Sequence, residues 1–215
     1  MAQPNPWGEN WHNENYSSAE MDQLLGKIFG AKLTFMGFLP AGDRKWVKKR
    51  NDDAMEVISL HSDRGFIFYA NFGLSFPWIP HGNFKTVCWH RTPKSALIDL
   101  RYERPTGVDW SLPKGRTVAA ERAQIVSAEI CETCGPWFSK MLNQDRLLEE
   151  LKRLRTRPGF INYVQCLTVD LFWRARVEKR CDLAPPVEAQ LRSYFGEDGF
   201  LKVKCLLEQA ETRSA

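Results

Sequence analysis

Two thiols stand three residues apart in Cys131-Glu132-Thr133-Cys134, the spacing of a redox pair or of half a zinc site. A redox pair needs its first thiol at a helix N-terminus, where the dipole lowers its pKa. Here the pair lies late in a helical pattern, just before Gly135-Pro136, so its thiols should be poor nucleophiles. A structural zinc needs four ligands, and the other candidates, Cys88 and His90, are remote in sequence. The expectation is therefore no metal and no cofactor. Cys88-Trp89-His90-Arg91 is the second constellation. On a strand, Cys88 and His90 project from one face and would form a thiolate–imidazole pair. A nucleophile also needs a group that orients the base and a site for the oxyanion, and the sequence supplies neither. The same holds for His61-Ser62-Asp63, which has triad composition but reads as turn chemistry. There is no Walker sequence, no GxGxxG after a strand and no His-Glu-x-x-His. No catalytic set is assigned.

Binding chemistry is better represented. Arg44-Lys45-Trp46-Val47-Lys48-Lys49-Arg50 mixes cations with an aromatic ring. Lys152, Arg153, Arg155 and Arg157 form a second basic cluster, and Arg174, Arg176, Lys179 and Arg180 a third. Such groups bind phosphate, or else lie on solvated faces and at helix C-termini, where the dipole favours them. With 30 Lys and Arg against 26 Asp and Glu, the net charge of +4 is too small to argue nucleic-acid binding alone. Pro77-Trp78-Ile79-Pro80-His81-Gly82-Asn83-Phe84 is a loop of unusual apolar content. It either caps the core or presents a Trp anchor to a partner. The candidate partner-binding residues are accordingly Trp78, Ile79 and His81 in this loop, with Trp46, Lys48 and Arg50 in the basic strand.

The elements that must position these residues follow from periodicity. Phe66, Phe68, Ala70, Phe72, Leu74 and Phe76 alternate without a break, which places all six on one face of a strand, with Tyr69, Asn71 and Ser75 on the other. Residues 55–61 read as the preceding strand, joined through Asp63-Arg64-Gly65, and 44–50 as an edge strand blunted by lysines. Residues 86–91 and 96–103 read as a second hairpin turning at Thr92-Pro93-Lys94-Ser95. Its second strand would put Ile98, Leu100 and Tyr102 on one face, and Asp99, Arg101 and Glu103 on the other. Val108, Trp110 and Leu112 alternate once more.

Before the sheet, Met21, Leu24, Leu25, Ile28, Phe29 and Leu33 share a helical face, which predicts a helix from Ser18 to Phe35 with Ser18 as its cap. After it the period changes to 3.6: Ala119, Ala123, Val126, Ile130, Cys134, Trp137 and Met141 form a stripe, with Pro136 expected to kink or split the helix. Further helical patterns occupy 147–154, 160–179, 187–195 and 200–210. The expected fold is α+β: an N-terminal helix, an antiparallel β-sheet, then a helical C-terminal half packed on the sheet. Residues 1–19 read as a polar tail and 20–215 as one domain, with a sheet part over 20–115 and a helical part over 116–210. With 215 residues the chain can bury a core without disulfides. The six cysteines therefore read as reduced thiols. No run approaches the roughly 18 apolar residues that cross a bilayer, and the N-terminus lacks the pattern of a secretory signal. A cytoplasmic address is expected.

Residues 21–103 also carry an ordered set of features: Gly37-Phe38 after a helix, a basic strand containing Trp46, and a strand ending in Ile58, Leu60 and Ser62. A strand with Tyr69 and Asn71-Phe72-Gly73 follows, then Cys88-x-x-Arg91. In this order they resemble an uncharacterised bacterial family, the domain of unknown function numbered 4304. The resemblance implies no activity; small stand-alone proteins of this kind can serve as immunity proteins beside secreted toxins. The expected function is a non-catalytic, immunity-like protein that occludes the active site of a cognate bacterial toxin. Since the chain is basic, that toxin should not be a strongly basic nuclease. A nucleic-acid partner for the basic clusters is the second reading, and an enzyme centred on Cys88 and His90 the third.

Overall fold

The strand Ile67–Ser75 organises the molecule, because its alternating residues divide the sheet into a dry face and a polar one. The computed structural model describes residues 14–42, 44–51, 54–63, 67–76, 81–83, 86–88, 92–143, 145–147, 149, 150, 153, 192, 196–198, 200, 201, 204 and 205. For 63, 81–83 and 86–88 the description covers the backbone alone.

Helix α1 (Ser18–Phe35) precedes β1 (Leu39–Pro40), β2 (Lys45–Lys49), β3 (Met55–Asp63) and β4 (Ile67–Ser75). Then come β5 (His81–Asn83), β6 (Thr86–Cys88), a 3-10 turn at Pro93–Ser95, β7 (Leu100–Arg101), β8 (Ser111–Pro113) and helix α2 (Ala119–Lys140). The main sheet is antiparallel in the order β1-β2-β3-β4-β7, and β8 pairs with β4 beside β7. Helices on one side of an antiparallel sheet make this an α+β fold, as the sequence pattern predicts.

Phe68, Ala70, Phe72, Leu74 and Phe76 are all buried on one face, with Trp46, Ile58, Leu60, Leu100 and Leu112 beside them. Both helices close over this face through Met21, Leu25, Phe29 and Leu33 of α1 and Ala119, Ala123, Val126, Ile130, Cys134 and Phe138 of α2. Phe72 sits at the centre of an aromatic cluster with Tyr102, Trp110, Trp137 and Phe138. Each large apolar side chain buried this way stabilises the fold by roughly 1.5–3 kcal/mol.

Several local expectations change. The cap of α1 is Ser17, one residue before the predicted position. Its hydroxyl accepts from the Glu20 N–H at 3.3 Å, and the Glu20 carboxylate accepts from the Ser17 N–H at 2.8 Å. The box closes only at this register because the acidic residue must stand three after the cap. Pro136 does not split α2, which runs through to Lys140. Pro136 is exposed, so the carbonyl it leaves unbonded lies toward solvent, while buried Cys134, Phe138 and Met141 hold both halves on the core.

The predicted second hairpin does not form. Strand β6 pairs with β5, in the register His81↔Cys88, and 99–102 bonds to β4 instead. Thr92 caps a 3-10 turn that begins at Pro93, and the following segment crosses the polar face of the sheet. Ile98 consequently packs with Val47 and Val57 on that face, whereas Leu100 lies in the main core. The edge of the sheet beyond β2 is the two-residue β1. Of the four helical patterns expected after 143, most residues lie outside those described.

Candidate functional site

Cross-strand register sets which residues share the polar face. Lys45, Ser59 and Asn71 form one row across β2, β3 and β4. His61, Tyr69 and Ser111 form the next row, and Val47, Val57, Gly73 and Arg101 the row on the other side. Asn71 thus has Ser59 beside it, Tyr69 on its own strand, His61 and Arg101 on the diagonals, and Lys45 one strand beyond Ser59. Gly73 makes the approach of β7 possible: a Cβ there would stand 2.1 Å from the Leu100 carbonyl oxygen and 2.5 Å from Ile98 Cγ2. Only a residue without a side chain lets Arg101 come in at this register.

The side chains are held unequally. The Lys45 ammonium donates to the backbone carbonyls of Lys94 at 2.9 Å and Ala96 at 2.8 Å. An ammonium has three N–H groups, so one remains. The Ser59 hydroxyl and the His61 Nε2 share a hydrogen bond of 2.9 Å. The Asn71 amide makes one long contact, from Nδ2 to the Tyr69 carbonyl at 3.5 Å. Among the described residues neither Lys45 nor Arg101 forms an ion pair.

The electrostatics follow from this crowding. Burial pushes the His61 pKa below its ordinary 6.5, and the charges of Arg101 and Lys45 push it the same way. Burial also lowers Arg101, aided by Arg104, and burial lowers Lys45. Like charges on neighbouring groups disfavour protonation in this manner. Residues 77–98, which lead from β4 to β7, contain Lys85, Arg91 and Lys94 with His81 and His90, and no Asp or Glu. Of these basic residues, the described contact with this face is made by Lys94, whose carbonyl holds the Lys45 ammonium.

Ser59 and His61 have the look of a nucleophile and its base. The geometry gives them little power. Ser59 is 4% exposed, and the two cations beside His61 lower its basicity. A serine nucleophile needs the opposite, a carboxylate that raises and orients its histidine.

The residues singled out from sequence are dispersed. Trp46 is 3% exposed and stacks on Phe29 at 6.0 Å, and Arg50 is 7% exposed and donates to the Met141 carbonyl at 3.2 Å. Burial takes both off the surface, because each lies under a helix rather than on an open edge. Lys48 is exposed and lies 4.0 Å from Glu56 and over the Phe38 ring, on the helix side of the sheet. Trp78, Ile79 and His90 fall outside the described residues, and His81 and Cys88 are described as backbone partners in β5 and β6 only. Cys131 and Cys134 lie inside α2; burial raises both thiols, Cys134 to about 12. Among the described residues no group of three or more His, Cys, Asp or Glu stands together as a metal site. Among them too, no helix is long and apolar enough to cross a membrane.

Comparison with protein-family models, curated proteins and solved structures gives no match. The resemblance drawn over residues 21–103 therefore rests on its ordered residues alone.

Proposed function

We propose that this chain is a non-catalytic, immunity-like binding protein that occludes a partner protein, and that the polar face of its sheet is the docking face. One observation carries the reading. Lys45, His61 and Arg101 share the polar face around Asn71, and among the described residues none of the three forms an ion pair; Asp99, the acid on their side of the β7 segment, accepts from the Phe76 N–H at 2.9 Å. Concentrating like charge on one face is unfavourable unless a partner supplies the opposite charge, and complementary potentials steer and orient association. The partner is then a protein with an acidic patch at its docking surface. That agrees with the inference that a basic chain does not neutralise a strongly basic nuclease. A face built on rigid strands and on the segment tied across them suits occlusion, since little ordering is required on binding.

The experiment compares a labelled oligoglutamate peptide with a labelled oligothymidylate in fluorescence anisotropy at physiological salt. The peptide is expected to bind the more tightly, and Arg101→Glu to weaken it by at least about tenfold. Tighter binding of the oligonucleotide would move the nucleic-acid reading to the front, since phosphate contacts dominate that class. Esterase activity that Ser59→Ala abolishes would overturn the non-catalytic reading.

A further inference from the structure

The polar face offers donors in a specific arrangement. Arg101 brings five N–H groups, none engaged among the described residues, and Lys45 brings one remaining N–H on an ammonium fixed by two carbonyls. Ser59 and Asn71 lie between them in strand order, with Arg101 one row further along opposite Gly73. Two cations flanking a neutral donor suit a planar anion with two oxygens. We propose that one acidic side chain of the protein partner seats its carboxylate over Asn71, between the Lys45 ammonium and the Arg101 guanidinium, and that His61 binds a proton as the carboxylate arrives. This rests on the docking reading and adds the group recognised and its coupling to protons.

His61 faces Lys45 from β2, Tyr69 from β4 and Arg101 from β7, with Ser59 on its own strand. In the free protein burial, and then the two neighbouring cations, disfavour its protonation. A carboxylate placed among them offsets part of that positive charge, which makes the imidazolium less unfavourable than in the free protein. Ser59 lets the proton arrive without loss of a hydrogen bond. Its hydroxyl rotates from donor, toward a neutral ring nitrogen, to acceptor, from an N–H. The proton comes from the buffer and no covalent bond changes. Because the pKa of His61 is higher in the complex than in the free protein, affinity rises as pH falls. The gain is complete below the free value and gone above the bound one. Each unit of that rise is about tenfold in affinity.

The test is calorimetric titration of the full chain with oligoglutamate at about pH 6 and about pH 8, in two buffers of different ionisation enthalpy. The wild-type protein should bind about tenfold more tightly at the lower pH, with net proton uptake read from the buffer dependence of the heat. In His61→Gln the ratio should fall to about twofold or less and the uptake should vanish. The peptide's own carboxylates contribute alike to both proteins. Far-UV circular dichroism and melting confirm that the variant is folded. If His61→Gln keeps the ratio, or the wild type takes up no proton while Arg101→Glu still abolishes binding, the proton coupling is wrong and the docking face survives. If Arg101→Glu leaves the peptide affinity unchanged, both fall.

Discussion

Replacing Phe72 by Ala tests the architecture at its densest point. The ring is fully buried, its centroid 4.6 Å from that of Tyr102, 5.7 Å from Trp110, 5.6 Å from Trp137 and 5.5 Å from Phe138. Truncating a buried Phe costs roughly 3–5 kcal/mol through lost transfer energy and the cavity left behind. Four aromatic neighbours from three segments cannot all collapse into that space, so the loss belongs near the top of the range, about 4–5 kcal/mol. Domains of ordinary stability have about 5–15 kcal/mol in total, so Phe72→Leu, which keeps most of the volume, accompanies it with an expected loss of about 1–2 kcal/mol. Urea unfolding followed by Trp fluorescence reads both, with far-UV circular dichroism as a second probe and an unchanged m-value as the check on two-state behaviour. A loss below about 1 kcal/mol for Phe72→Ala would refute the reasoning, since no ring at the centre of a packed core is that cheap to remove.

Gly73→Ala should destabilise by roughly 1–3 kcal/mol and also weaken peptide binding, because the new Cβ meets the Leu100 carbonyl and must push β7, with Arg101, away from β4; unfolding and anisotropy on one preparation check both, and unchanged stability would mean that β7 does not lie there. Glu20 is held at about 2 by hydrogen bonds from Arg116 and Ser17. Its folded pKa is below the ordinary 4.5, so its stabilisation is present above that value and is lost as pH falls toward about 2; Glu20→Gln should flatten the fall of Tm over this window, and parallel curves would sink the claim. Iodoacetamide at mildly alkaline pH should modify Cys131, half-buried beside an open apolar groove lined by Ala31, Phe35 and Met36, well before Cys134, whose thiol burial pushes up to about 12. Site-resolved mass spectrometry reads the order, and equal rates in the folded protein would contradict it.

Local patterning was legible wherever burial enforces a period. The bounds of α1, the dry and polar sides of β4 and the stripe of α2 all follow from spacing, since a one-residue slip would turn every side chain to the wrong face. Two things were not legible. Residues 96–103 alternate like a strand, yet only Leu100–Arg101 pairs, because the partner is chosen by β4's free edge and by Gly73 rather than by alternation. The basic strand at 44–50 offers Trp46, Lys48 and Arg50 in sequence as partner-binding, but the face they share is the one turned toward the helices. Its residues alternate between faces: Trp46 enters the core, Lys45 reaches the carbonyls of the crossing segment, and Arg50 meets the end of α2. For the candidate site, parity already put Tyr69, Asn71 and Arg101 away from the core. What it could not supply was the register that brings Lys45 and His61 to the same place. Those contacts join residues far apart in the chain, and no local rule carries them.

The charge on that face is what a purely structural role leaves unexplained. Cross-strand pairs of opposite charge are a cheap way to stabilise an antiparallel sheet, and this chain uses ion pairs freely elsewhere, as in Arg44–Asp22, Arg116–Glu20 and Arg153–Glu103. On the polar face it does otherwise. Lys45 is tied down by carbonyls, which fix its position without cancelling its charge, and the residue opposite Arg101 is a glycine. His61 stands where both cations disfavour its protonation. Each arrangement forgoes stabilisation that one Asp or Glu on a facing strand would restore. A surface that sets Lys45 and Arg101 on one face, with no ion pair to either among the described residues, is suited to an anion brought from outside.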